Sequence, residues 1–115
     1  MSGHRIDRTS EDIKRELTDI MRGLKDPRIK GLLSIVRVEL TNDLSYCTVY
    51  VSAVEGIDTA RESVKGLTAA HGFIRRELSR RLDIRHTPVL KFVADNSIEK
   101  SADIAKMLDE LNKEV

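Results

Sequence analysis

The sequence contains one cysteine, no tryptophan and only two prolines among its 115 residues. A lone cysteine, Cys47, can form neither an internal disulfide nor a thiolate zinc cluster. No stretch approaches the ~20 apolar residues of a membrane span, and the first ten residues lack the apolar core of a signal peptide. We therefore expect a cytoplasmic protein that carries no metal or other cofactor.

The residues that catalysis would require are scattered. The three histidines, His4, His71 and His86, are far apart, and none stands at metal-ligand spacing from another or from Cys47. No serine lies in a nucleophile-elbow pattern, and the glycines form no phosphate-binding loop of the Walker or dinucleotide type. Asp95 follows a predicted strand, where a cap or turn role is favoured over catalysis. The sequence predicts a protein that is not an enzyme.

Charge is plentiful but unevenly placed. The net charge is +1, yet residues 71–91 carry six Lys or Arg against two acids, a net of +4, whereas residues 95–115 carry three lysines against six acids, a net of −3. A basic field beside an acidic tail indicates a polyanionic partner that meets one face of the protein. On charge alone, a solvated surface without a partner is the alternative.

The first half of the chain predicts a helix and then a β-hairpin. Thr9 or Ser10 can cap a helix whose apolar residues recur from residue 13 to residue 24, and Pro27 ends it. Residues 32–41 and 46–53 alternate in hydrophobicity around a polar turn. In the first run we expect Val36 and every second residue after it to face the core. In the second run we expect the same of Cys47 and every second residue after it.

The second half predicts two helical stretches that flank a third strand. Residues 59–82 are helical, capped by Asp58 or Thr59, and residues 89–94 form the strand after Pro88. A last helix starts at Ser97 or Ser101 and either docks on the body or stays mobile. Four apolar residues form its narrow stripe: Ile104, Met107, Leu108 and Leu111. The fold class is α+β, a single domain over residues 1–115 with helices on one face of a three-stranded sheet and a terminal helix or partly mobile tail over residues 97–115.

A helical wheel over residues 59–82 places a basic row opposite the apolar residues. Its members follow one another at spacings of three or four: Lys65, Ala69, Gly72, Arg76 and Arg80. Glycine inside a helix costs ~1 kcal/mol relative to alanine, but here it allows the backbone to approach a ligand closely. The pattern predicts a ligand-binding surface.

Phe73 falls away from the core on a straight wheel. A break at Ala70-His71-Gly72 would reset the register and let Phe73 join Ile74 in the core. We therefore predict two helices with a tight break. The alternative is one glycine-weakened helix with a surface aromatic.

The break also indicates what binds there. Backbone N–H groups at the start of the second helix suit a phosphate, and Arg75, Arg76, Arg80 and Arg81 follow within three turns. Salt bridges to Glu77, Asp83 or the acidic tail are the alternative for these arginines, but two nearby acids are too few for four cations. With Phe73 assigned to the core, recognition is expected to depend on RNA shape and phosphate position more than on stacking of bases.

The order of elements resembles a type II KH domain. The usual G-x-x-G loop between the adjacent helices is replaced by Ala70-His71-Gly72, a departure typical of the bacterial ribosome-binding factor A family. Further segments are similar to that family over about residues 5–108: Asp26-Pro27-Arg28, residues 41–46, residues 49–52, and Arg85-His86-Thr87-Pro88 with Leu90, Phe92 and Asp95. Cys47, where a small residue is expected, and Val89, where an acid is common, are minor departures.

The resemblance implies a non-catalytic assembly factor that binds the free small (30S) ribosomal subunit and assists late maturation of its 16S rRNA. It implies contact near the 5′-terminal helix and the subunit neck, a role most needed at low temperature, and action as a monomer. The residues expected to contact RNA come from the helical segment and the following loop: Lys65, Ala70, His71, Gly72, Arg75, Arg76, Arg80, Arg81, Arg85 and His86. A protein-interaction module that uses the acidic terminal helix, and an RNA-processing enzyme, are the competing hypotheses.

Overall fold

The computed structural model describes residues 2–82 and 84–113. Its order of elements confirms the predicted α+β, type II KH-like arrangement. The elements are α1 (Ser2–Arg22), β1 (Leu33–Leu40), β2 (Tyr46–Ala53), α2 (Ile57–Ala69), α3 (His71–Arg81), β3 (Val89–Asp95) and α4 (Ser97–Lys113). None of the helices in this part of the chain has the length and apolarity that a membrane span requires.

The three strands form one sheet in the order β1-β2-β3. β1 and β2 are antiparallel, with Leu40 opposite Cys47, whereas β2 and β3 are parallel, with Cys47 opposite Leu90. Parallel strands need a crossover connection, and α2 with α3 supplies it. The helical pair is therefore held against the sheet by the topology.

The core lies between the sheet and helices α1, α2 and α3. The predicted alternation of β2 is confirmed, because Cys47, Val49, Val51 and Ala53 are all buried. Burial raises the pKa of the Cys47 thiol to about 12, so this residue is an uncharged apolar group at neutral pH. The helices contribute the other side of the same cluster: Ile13, Leu17, Ile20, Leu67, Ile74 and Leu78.

In β1 the predicted alternation was wrong at its start. Ile35 lies opposite Val51 and is buried, whereas Val36 has no partner because the register shifts there. A bulge inserts one extra residue into a strand, so two residues that stand three apart across it share a face. Ile35 therefore joins the core with Val38, which lies opposite Val49.

Two predicted helix starts were also wrong. α1 begins at Ser2, and Thr9 and Ser10 lie inside it, because no proline stands between. α2 begins at Ile57 directly after Gly56, whose φ of 116° only glycine adopts easily. This sharp turn starts the helix earlier than Asp58 or Thr59 would.

The last helix begins at Ser97, one of the two predicted positions. The Asp95 carboxylate accepts a hydrogen bond from the Ser97 backbone N–H at 2.7 Å, which is the predicted cap role. Hydrogen bonds from Ser97, side chain first and then backbone, lower the pKa of Asp95. The Ile98 N–H donates to the buried Ser52 hydroxyl at 3.2 Å, so the first turn of α4 is attached to β2.

Beyond that turn the apolar stripe of α4 does not dock on the body. Met107, Leu108 and Leu111 are between 57% and 62% exposed. The fourth predicted member, Ile104, lies outside the residues whose side chains are described. α4 thus presents apolar side chains to solvent.

The helical segment breaks at a single residue, as predicted. α2 ends at Ala69 and α3 begins at His71, and Ala70 between them has φ −94° and ψ 8°. Its N–H still donates to the Gly66 carbonyl at 3.1 Å, and its carbonyl still accepts from the Ile74 N–H at 3.0 Å. The break is therefore tight and close to helical in geometry.

Because the break is so small, it does not reset the helical register. Ile74 and Leu78 are buried, as a continuous wheel requires, while Phe73 remains 48% exposed. The prediction that Phe73 joins the core was wrong. Near-helical angles at Ala70 keep both helices in phase, and Phe73 stays on the far side from the sheet.

This placement predicts unequal effects of two alanine substitutions. Leu78→Ala should lower the free energy of unfolding by about 2–5 kcal/mol, because it opens a cavity in the core. Phe73→Ala should lower it by less than about 1 kcal/mol. Urea denaturation of both variants measures the difference, and similar losses would contradict the exposure of Phe73.

Candidate nucleic-acid interface

The predicted basic row exists as a solvent-exposed stripe. All five of its members are exposed, while Leu67, Ile74 and Leu78 on the opposite side of the same helices are buried. The row comprises Lys65, Ala69, Gly72, Arg76 and Arg80. Packing of one helical face on the sheet thus fixes which face meets solvent.

Gly72, at the middle of the row, is not required by the fold. A Cβ added there would meet no atom within 4 Å, and its φ is not positive. Gly66 differs, because a Cβ at that position would lie 2.7 Å from Cγ1 of Ile29. What Gly72 provides is bare backbone that is open to solvent beside cations.

The cations of the row are only weakly engaged. Lys65 Nζ lies 2.8 Å from Glu62 Oε1, and Arg80 Nη1 lies 3.0 Å from Glu77 Oε1. Within the described residues, Arg76 has no carboxylate at ion-pair distance. Exposed pairs of this kind contribute roughly 0–1 kcal/mol, so a phosphate can replace the carboxylate at little cost.

Arg81, also predicted to contact RNA, is committed to another helix. Its Nη1 lies 3.3 Å from Glu16 and 2.5 Å from Asp19, both on α1. The pKa of Arg81 is raised, chiefly by its hydrogen bond to Asp19. Counting only nearby acids in the sequence therefore missed two carboxylates from α1. That count included Asp83, which lies outside the described residues.

Arg75 positions the loop that precedes β3. Its guanidinium donates two hydrogen bonds to the Thr87 carbonyl, at 3.2 Å from Nε and 2.8 Å from Nη2. Arg85 and His86 stand exposed in that loop. The predicted residues thus separate into an outward row, an α1 contact at Arg81 and a loop group held by Arg75.

At the break, His71 Nδ1 lies 2.8 Å from the Thr68 carbonyl. This contact requires the proton on Nδ1, which fixes the ring across the end of α2. Ala70 is half-buried and contributes backbone more than side chain. Gly72 and the imidazole of His71 are the exposed parts of the predicted Ala70-His71-Gly72 motif.

Two cations that were not predicted lie against α2 near Lys65. A Cβ added at Gly66 would lie 3.3 Å from Cβ of Arg28, and the Ser63 hydroxyl donates to the Lys30 carbonyl at 3.5 Å. The pKa of Glu62 is lowered first by Lys65 and then by Lys30 and Arg28. Arg28 is held by Asp26, whose pKa falls to about 2 through hydrogen bonds from Arg28. The Asp-Pro-Arg motif indicated the turn, but only tertiary packing brings it beside α2.

This surface is equipped to bind a polyanion. It combines exposed cations, open backbone at Gly72 and an exposed ring at Phe73, which was wrongly assigned to the core. No group of three or more potential metal ligands occurs in the described part of the chain. The geometry therefore fits contact with nucleic-acid backbone.

Residues 5–108 match the family model described as ribosome-binding factor A. Ribosome-binding factor A of Acetivibrio thermocellus is 50% identical over 107 residues, which cover 92% of this chain and 87% of that protein.

Two structural matches agree with the sequence match. The crystal structure of ribosome-binding factor A from Thermus thermophilus has a TM-score of 0.70 at 29% identity and covers 77% of this chain and 93% of that one. A homology model of the Thermus thermophilus factor, fitted into a cryo-EM map of its complex with the 30S subunit, has a TM-score of 0.62 at 32% identity. It covers 74% of this chain and 89% of that chain.

Proposed function

This chain belongs to the ribosome-binding factor A family, and from that premise we propose that it binds the free 30S subunit through 16S rRNA. The family is one of non-catalytic ribosome maturation factors. The proposed role is assistance in late maturation of the rRNA near its 5′-terminal helix. The observation that carries the proposal is the exposed basic row centred on Gly72.

The row would act by exchanging weak intramolecular ion pairs for phosphates. Lys65 and Arg80 would release Glu62 and Glu77, while Arg76 is available without exchange. When the cations of the protein bind the phosphates, they displace the counterions of the RNA, and affinity therefore falls as the salt concentration rises. Phe73, beside Gly72, adds one ring on which a base or ribose can stack.

We further propose that residues 1–115 act as one domain, as a monomer, in the cytoplasm where ribosomes assemble. The exposed apolar stripe of α4 favours a second candidate role, a protein contact made in addition to the RNA contact. Such a contact would be less sensitive to salt than binding by the basic row.

Reversing the charge of two row residues tests the proposal. Arg76→Glu with Arg80→Glu should weaken binding to free small subunits by about tenfold or more and reduce the salt slope by about one unit per cation. Affinity at several salt concentrations, by filter binding or sedimentation, measures both effects.

The matched control is Lys100→Glu with Lys106→Glu, the same change of charge placed on α4. It should bind nearly as well as the wild type. Salt screens charges that lie far from the RNA, so a change of charge on α4 should have little effect on binding by the row. Equal losses in both double variants would mean that net charge, and not this surface, governs binding.

Gly72→Ala separates folding from binding. The free energy of unfolding should rise by roughly 0.5–1 kcal/mol, because alanine is the better helix former and its Cβ meets open space. Affinity for small subunits should nevertheless fall severalfold if the RNA backbone packs on Gly72. A variant that is more stable and binds subunits as tightly as the wild type would show that Gly72 is not part of the interface.

A further inference from the structure

A cleft of 660 Å³ opens on a different part of the molecule from the basic row. It lies between the first half of α1, the turn that joins β1 to β2, and the loop that precedes β3. Its floor is aliphatic: Ile13, Leu40, Leu44, Ile84 and Pro88. Its rim is charged or polar and includes Arg8, Asp12, Asp43, Arg85 and His86. An apolar floor with a few polar groups at the rim is the usual form of a small-molecule site.

One wall of the cleft is held in a conformation that leucine disfavours. Leu44 has a φ of 63°, the only positive value at a non-glycine residue in the described part of the chain. The Leu44 N–H donates to the Thr41 carbonyl at 2.9 Å, and Asp43 Oδ1 accepts from the Thr41 hydroxyl at 2.8 Å and the Ser45 N–H at 3.1 Å. A strained conformation fixed by this many bonds is a recognised mark of a functional position. Here it places an aliphatic side chain in the cleft where glycine or asparagine would fit the turn better.

The opposite wall is fixed from two sides. Arg75 holds the Thr87 carbonyl, and the Val89 N–H donates to the Ser45 carbonyl at 2.9 Å, which ties the loop to the hairpin turn. Pro88 between them is fully buried. The cleft is therefore preformed, and a ligand need not pay the entropy of ordering its walls.

The polar rim offers both positive and negative groups. Within the described residues, neither Arg8 nor Arg85 has a carboxylate at ion-pair distance, so both are available to an anion. Asp12 has one oxygen 3.2 Å from Arg15, whereas Asp43 is engaged by hydrogen bonds within the turn. The other oxygen of Asp12 is left to accept N–H donors.

We propose that this cleft accepts an unstacked guanine nucleotide, with its base on the aliphatic floor and its phosphates at Arg8 and Arg85. A guanine edge presents two adjacent N–H donors, which the free oxygen of Asp12 can accept through its two lone pairs. Proteins commonly recognise single-stranded RNA by receiving splayed bases in this way. The inference rests on the proposed function, because the nucleotide is taken to belong to the bound rRNA.

NMR titration of the full chain with labelled methyl groups tests the site. Guanosine 5′-monophosphate should shift the methyls of Leu44, Ile84 and Ile13 in a saturable manner. Inorganic phosphate should leave those methyls unchanged, and uridine 5′-monophosphate should bind more weakly. Equal methyl shifts with phosphate, or equal affinity for the uridine nucleotide, would overturn the proposal.

Leu44→Gly supplies the decisive variant. Glycine adopts the turn without strain, so the chain should fold, and unchanged amide shifts outside the turn provide the check. Affinity for guanosine 5′-monophosphate should fall about fivefold to tenfold, the factor expected for one lost aliphatic contact. Leu32→Gly, which removes an exposed leucine outside the cleft, is the matched control and should not change it.

Small-subunit binding by the same proteins separates the two proposals. If the wild type binds subunits but the nucleotide shifts none of these methyls, the proposed nucleotide site is overturned and the proposed function is left intact. Methyl shifts without any binding to subunits would overturn the proposed function and leave a nucleotide site. Weaker subunit binding by Leu44→Gly than by Leu32→Gly supports both.

Discussion

The packing of Leu67, Ile74 and Leu78 against one face of the sheet is the contact on which the rest of the structure depends. These residues belong to two helices, and they reach the same core because Ala70 interrupts the segment with near-helical angles. Because the buried residues of both helices point in the same direction, the exposed residues of both helices also share one direction. The cations of α2 and α3 are therefore aligned in one row by the same packing that forms the core.

That constraint also explains what Gly72 contributes. A larger break would demand a glycine for its backbone angles, but this break is centred on Ala70 and leaves Gly72 in ordinary helical geometry. Neither packing nor conformation selects glycine at that position. The proposed contact with RNA backbone would give a glycine a role at this position, and the exposed Phe73 follows it directly in the chain.

Periodicity in the sequence predicted the features that one element determines by itself. The buried side of β2, the two helices and the basic row follow from spacing alone. The exposure of Phe73 also follows from a continuous helical wheel, and it was missed because the break was expected to reset the register. Two features were missed because they depend on pairing between elements: the bulge at Val36 and the engagement of Arg81 by α1. The cleft lies beyond sequence reasoning for the same reason, because Arg8, Leu44 and Arg85 meet only in the folded chain.

The proposed function requires that RNA meet the helical face opposite the sheet. A cryo-EM map of the full chain bound to an immature small subunit, at a resolution that separates side chains, tests it most directly. We expect rRNA phosphates within hydrogen-bond distance of Arg76 and Arg80, with the backbone of Gly72 against the RNA. A map in which this face is open to solvent, and the subunit is held through α4 or the uncovered face of the sheet, would contradict it.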